Sequence, residues 1–187
     1  MAPFRVVLVV LAWFILTPAF ANYLTNADLT DSLGGWNGDG ERVYLRTDGT
    51  EGNSDDKDAV PCIKLRLTDG VQSVTQEYET NDQPPSLHVT VQIYASKDLK
   101  IAPFPDDQTT GDGSHYVGNV RVPDGDCWVG EEPSHTRRGV PLKLGQWNAV
   151  DLVIRHMKQI NDRTLSFNVP PGQGTIYIRT PSVTKQG

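Results

Sequence analysis

The sequence predicts an all-β fold, with antiparallel sheets packed face to face. Three observations carry that prediction. Leu87 to Ala95 alternates strictly, with Leu87, Val89, Val91, Ile93 and Ala95 on one side and His88, Thr90, Gln92 and Tyr94 on the other. Shorter runs repeat the pattern, separated by Gly, Pro, Asp and Asn clusters at the spacing of a sandwich or barrel. Long amphipathic helical periodicity is missing from the chain after the first twenty residues or so. One apolar and one polar face per strand suits a sheet that covers a core on one side and meets water on the other.

The elements follow in chain order. Residues 1–21 read as a cleavable signal peptide. Arg5 supplies the positive start, Val6 to Leu16 is an apolar run too short to span a bilayer, and Ala19-Phe20-Ala21 is an A-x-A cleavage site. The alternative is an uncleaved membrane anchor, which the short run and the small residues at the cleavage position oppose. Residues 22–187 are then one β-sandwich domain, and no membrane insertion is expected after cleavage. Gly34-Gly35 marks a reversal before a short strand at Arg42 to Arg46, and Asp48 to Asp58 reads as a long acidic surface loop. Ile63, Leu65 and Leu67 oppose Lys64 and Arg66. After the Asp69-Gly70 turn comes a weaker run from Val71 to Tyr78. Beyond the Leu87 strand, Asp98 to Gly113 reads as a second long loop and His115 to Val122 as another weak strand. Val150, Leu152 and Ile154 alternate with Asp151 and Arg155. Leu165, Phe167 and Val169 alternate with Thr164, Ser166 and Asn168. Ile176 and Ile178 alternate with Tyr177 and Arg179.

Composition narrows the function. The formal net charge is −6 at pH 7, which argues against nucleic acid and against an anionic membrane surface. The chain has two cysteines, Cys62 and Cys127. In an extracellular or periplasmic setting, one bridge between them is the simplest reading, and two buried thiols the alternative. A bridge would close a loop of roughly 65 residues, worth about 4 kcal/mol in the chain-entropy treatment.

The opening Tyr23-Leu24-Thr25-Asn26-Ala27-Asp28-Leu29 with Gly35-Trp36, the Leu87 to Lys97 run, the Gly145-Gln146-Trp147-Asn148 step and the closing Gly174 to Lys185 stretch resemble galactose-binding-like jelly-roll domains. The resemblance spans nearly the whole chain after residue 21. It implies a secreted, carbohydrate-binding-module-like β-sandwich that is not an enzyme, with a polysaccharide as partner. It places Trp36 and Trp147 in the core. It also implies a structural calcium ion, with Asp28 at the first-strand position. The last strand has Thr180-Pro181-Ser182 where the family has acidic residues, so Asp55, Asp56 and Asp58 are the remaining candidate ligands.

Carbohydrate sites combine an aromatic surface with nearby polar groups for the hydroxyls. Trp128, in the Gly-flanked segment Gly125-Asp126-Cys127-Trp128-Val129-Gly130, is one candidate platform, or else a Trp packed on the bridge. The polar face of the Leu87 strand, with His88, Gln92 and Tyr94, is a second candidate surface if that face meets ligand rather than solvent. Tyr116 and Arg137 are further candidates near Trp128. Catalytic signatures are missing: there is no G-x-S-x-G elbow, no zinc-type histidine spacing, and no identifiable carboxylate pair. A structural or adhesive domain that contacts other proteins is the alternative function, and a small jelly-roll hydrolase or lyase a third.

Overall fold

The computed structural model describes residues 21–81, 84, 86–101, 115–117, 120–121, 140–155, 162–169 and 171–186. No helix occurs among them. The strands are β1 (Trp36–Gly38), β2 (Glu41–Arg46), β3 (Glu51–Gly52), β4 (Ala59–Arg66), β5 (Gln72–Glu79), β6 (Ser86–Ala95), β7 (Lys100–Ile101), β8 (His115–Val117), β9 (Val120–Arg121), β10 (Val140–Leu142), β11 (Trp147–Arg155), β12 (Asp162–Val169), β13 (Gly172–Gln173) and β14 (Thr175–Lys185).

They build a four-stranded sheet ordered β1-β5-β12-β9 and a six-stranded sheet ordered β11-β6-β14-β4-β2-β3. Two small pairs, β10-β8 and β13-β7, sit beside them. The ladders are antiparallel throughout. The chain crosses repeatedly between the two main sheets, from β4 to β5 to β6 and from β11 to β12 to β14. This is the all-β sandwich that the alternation predicts, of the jelly-roll type that the resemblance implies.

The core lies between the sheets and follows the sequence parity. Ile63, Leu65, Leu87, Val89, Val91, Ile93, Ile176 and Ile178 face in from the six-stranded sheet. Trp36, Val74, Tyr78, Leu165 and Phe167 meet them from the other. Trp36 is in the core as expected, its ring centroid 6.2 Å from that of Phe167. The buried Gln76 amide donates to the Thr25 carbonyl and hydroxyl, which ties the N-terminal segment to β5.

Three expectations change. The acidic stretch from Asp48 to Asp58 is no continuous loop, because β3 folds back on β2 through a tight turn in which Arg46 N–H bonds the Thr50 carbonyl. Cys62 carries a free, fully buried thiol, so the bridge expected between Cys62 and Cys127 is not formed. The reason is parity: Cys62 shares the Lys64 side of β4, where it packs under Leu45, Tyr94 and Tyr177. Cys127 itself lies outside the described residues. Trp147 leaves the sandwich core for that same outer cluster. The signal-peptide reading falls on residues 1–20, which are also outside the described residues.

Candidate functional site on the outer face of the six-stranded sheet

Side chains of opposite parity to the core project from the other face of the six-stranded sheet. Leu45, Cys62, Tyr94 and Tyr177 are buried there, with Val43, Val60 and Trp147 half-buried against them. The register makes a row across four neighbouring strands: Trp147 of β11 opposes Tyr94 of β6, Tyr94 opposes Tyr177 of β14, and Tyr177 opposes Lys64 of β4. The rings meet edge to face. Tyr94 and Trp147 are 5.6 Å apart between centroids at 66°, and Tyr94 and Tyr177 are 6.0 Å apart at 71°. Each such contact adds about 0.5–1.5 kcal/mol beyond burial, because ring edges and faces carry opposite partial charge.

The adjoining row is polar. Arg179 opposes Gln92, and its Nε donates to Gln92 Oε1 at 2.7 Å. The same guanidinium lies 3.9 Å from the centroid of Trp147. Two contacts therefore fix one long side chain, which a planar guanidinium allows and a lysine would not. Burial lowers the Arg179 pKa. Arg179 sits at the edge of a β-bulge, where the register to β6 shifts before Ser182 and Thr180 adopts a φ of 46°. Bulges re-aim the side chains beside them. Asn22 holds this one by donating to the Pro181 carbonyl and accepting from Val183 N–H. Among the described residues the Trp147 indole N–H is buried without a hydrogen-bond partner, which costs about 1–3 kcal/mol.

At the other end of the row, Glu51 Oε1 accepts from the Tyr177 hydroxyl at 2.9 Å and pairs with Lys64 Nζ at 2.7 Å. Burial would raise the Glu51 carboxyl, but the bonds from Lys64 and Tyr177 and the lysine charge outweigh it and hold the pKa below the usual value. Burial, and then the bond to Glu51, push the Tyr177 phenol well above its ordinary range. The turn at Gly49, with a φ of +85°, closes over Tyr94, and a side chain there would run into the Tyr94 hydroxyl.

Of the residues singled out from sequence, Gln92, Tyr94 and His88 share this face. Tyr94 is only 4% exposed, so it supports the surface rather than presenting its ring. His88 Nε2 lies 2.7 Å from Asp151 Oδ1 at the exposed end of the face. Tyr116 stands on β8 opposite Pro141, and its side chain is outside the described residues. Trp128 and Arg137 are outside them altogether. Alternation had placed Tyr177 and Arg179 together, but only the sheet order brings them beside Trp147 and Lys64.

The aspartates proposed for calcium do not fit such a site. Asp28 is exposed and accepts from the Thr30 N–H and hydroxyl. Asp56 is taken by Arg46 at 2.6 Å and by Asn53 N–H. Asp55 and Asp58 are exposed. Among the described residues no group of three or more His, Cys, Asp or Glu side chains could hold a metal ion, whereas calcium takes about six to eight oxygens.

No protein-family model matches the sequence, and no curated protein matches it. Solved structures are similar to the chain. The enzymatically active domain of bacteriophage CBA120 tailspike protein 4 is similar with a TM-score of 0.52 and 12% identity, over 87% of this chain and 21% of that one. The chain thus spans about a fifth of the length of that tailspike chain. TmCBM61, solved in complex with β-1,4-galactotriose, gives a TM-score of 0.46 at 18% identity, over 89% of this chain and 99% of that one. The CBM22-1 xylan-binding domain of Paenibacillus barcinonensis Xyn10C gives 0.48 at 6% identity, over 90% and 98%.

Proposed function

We propose that this chain is a secreted, non-catalytic domain that binds carbohydrate on the outer face of its six-stranded sheet, around Trp147, Arg179 and Gln92. The observation that carries the reading is the Arg179–Trp147–Gln92 constellation at the Trp147 end of the row of aromatic rings. A pyranose offers an apolar C–H surface and a rim of hydroxyls. An indole supplies the apolar partner, and guanidinium and amide groups supply planar arrays of donors and acceptors. Thr90 and the His88–Asp151 pair continue the polar strip. Because Arg179 and Gln92 are already fixed by each other, little side-chain entropy remains to be lost on binding.

Glu51 is not poised as a glycosidase proton donor, which keeps its proton at neutral pH through a raised pKa, because its carboxyl is shifted the other way and is engaged by Lys64 and Tyr177. Secretion rests on the sequence of residues 1–21, and N-terminal sequencing of exported protein that begins at Asn22 would support it.

Affinity electrophoresis through gels holding β-1,4-galactan, xylan, mannan or mixed-linkage glucan tests the function. Retardation by one of these, lost in Arg179→Ala and in Trp147→Ala, is the expected result. No retardation of the folded protein by any of them would turn the reading toward a protein-contacting role.

A further inference from the structure

The segment from Asn22 to Gly34 contains no strand, yet its Leu24 and Leu29 are core residues. Side-chain amides tie it to the sandwich. Asn22 bonds Pro181 and Val183 of β14, and Gln76 of β5 bonds Thr25. Asn26 is placed differently. Three backbone carbonyls, those of Asp31, Ser32 and Gly34, converge on its Nδ2 at 3.0, 3.3 and 3.2 Å. An amide has two hydrogens to give, so these acceptors outnumber its donors. The orientation of the amide is set, because Oδ1 accepts from Asp31 N–H at 2.9 Å, and a flipped group would oppose two N–H donors there. The loop reaches this shape through left-handed backbone angles at Asn26, Leu29 and Ser32.

Carbonyl oxygens that converge on one place are the surroundings of a hard cation. We propose that the loop from Asn26 to Gly34 is a calcium-type cage closed by the chain's own amide. The Nδ2 hydrogens stand in for an ion, so the fold needs no metal at this place, and Asn26→Asp converts the cage into a calcium site. Spacing is the first reason. Two oxygens that share a calcium ion, each about 2.4 Å from it and about 80° apart, lie about 3.1 Å from one another. Nδ2 keeps that distance from all three carbonyls. An oxygen in its place would make a fourth ligand without moving the loop. Charge is the second reason. Calcium sites combine carbonyls with carboxylates. Here the Asp28 carboxylate is turned to the Thr30 N–H and hydroxyl, and the oxygens that meet Nδ2 are all neutral. A neutral cage suits a neutral donor. The bonding of the remaining carbonyls is the third. Leu29 C=O accepts from Arg42 Nε at 2.8 Å, and Asn26 C=O accepts from Leu29 N–H at 3.1 Å. The loop is thus closed by its own bonds, and a single atom, Nδ2 against a charged oxygen, separates it from a metal site.

Thermal unfolding and calorimetric titration of the protein test this, with calcium chloride as the probe and EDTA as the reference. The parent is expected to unfold at the same temperature in both. Asn26→Asp is expected to be less stable than the parent in EDTA and to bind one calcium ion per chain. Its Tm should rise by at least about 5 °C once calcium stands about a hundredfold above the Kd. Asn26→Ala removes the donor without adding a charged oxygen, so it should lose stability equally with and without calcium. A parent that loses stability in EDTA and regains it with calcium overturns the proposal. A folded Asn26→Asp that ignores calcium overturns the cage, and so does an Asn26→Ala that calcium rescues. If Asn26→Asp does not fold in EDTA, folding restored by calcium supports the proposal. If it folds in neither, the parent decides: indifference to EDTA supports the proposal and sensitivity overturns it.

Discussion

Arg179 lies over Trp147, its guanidinium carbon 3.9 Å from the ring centroid, while its Nε bonds Gln92 at 2.7 Å. Arg179→Ala removes both contacts and should cost about 1–3 kcal/mol of stability, combining a cation–π contact with a hydrogen bond. Affinity for the glycan should fall tenfold or more, and the fluorescence of Trp147 should shift. Arg179→Lys keeps the charge and loses the plane, so it should fall between the two. Denaturant unfolding and calorimetry read the series, and a lysine variant equal to the parent would show that only charge matters.

The Glu51–Lys64–Tyr177 cluster predicts an acid limb in stability. The folded-state pKa of Glu51 is lowered, so its contribution is complete above the ordinary carboxylate range and is lost as pH falls through the depressed value. Glu51 is partly exposed, which limits the effect to about 1 kcal/mol or less. Unfolding in urea from pH 3 to 7 should show a smaller acid loss in Glu51→Gln than in the parent. An unchanged slope would mean that the cluster is not coupled to folding.

Gly49 and Tyr94 give a double-mutant test of how the face is closed. Gly49→Ala meets two obstacles, a left-handed φ of +85° and the Tyr94 hydroxyl. The backbone part alone should cost about 1 kcal/mol and the collision about 1–3 kcal/mol more. In a Tyr94→Phe background the hydroxyl is gone, so most of the collision cost should vanish while the backbone cost stays. Additive effects would contradict the contact.

Much of this was legible in the sequence, though its use depended on which cue was followed. The alternation from Leu87 to Ala95 marks β6 almost to the residue and assigns its two faces. The same parity, extended to Cys62 and Trp147, sets them with Lys64 and Asp151, away from the core, a step the sequence reading above does not take. The resemblance pulled Trp147 into the core, and the expected oxidising compartment pulled Cys62 into a bridge. Parity was the better guide, because a side chain cannot change faces without a bulge. What parity cannot show is which strands are neighbours. The row from Trp147 to Lys64 exists only because β11, β6, β14 and β4 lie side by side, although they are scattered along the chain.

Asn26 holds the N-terminal segment together. Its Nδ2 lies 3.0, 3.3 and 3.2 Å from the carbonyl oxygens of Asp31, Ser32 and Gly34, and its Oδ1 accepts from Asp31 N–H. Asn26, Leu29 and Ser32 all adopt left-handed backbone angles, which only such bonding sustains. Asn26→Ala should cost about 1–3 kcal/mol. Asn26→Asp should cost more, since a carboxylate would face three carbonyl oxygens. Thermal unfolding ranks the two, and the reverse order would show that the amide is not the hub.

The free thiol of Cys62 makes the last prediction, and it bears directly on the bridge expected from sequence. Cys62 is fully buried beneath Leu45, Tyr94 and Tyr177, and burial pushes its pKa up to about 11. A buried, protonated thiol reacts slowly, so alkylation at pH 8 should spare Cys62 in the native protein and label it fully in urea without reductant. Labelling that requires reductant would restore the bridge. The raised pKa also gives an alkaline limb: stability is complete below the ordinary thiol value and falls as pH rises toward about 11. A shift of that size corresponds to roughly 2–3 kcal/mol. Tyr177 is raised as well and adds loss above the ordinary phenol range. Cys62→Ala should therefore flatten the limb between pH 9 and 11, and Tyr177→Phe the part above about 10. If neither variant changes the limb, the outer cluster opens to water well before the sandwich unfolds.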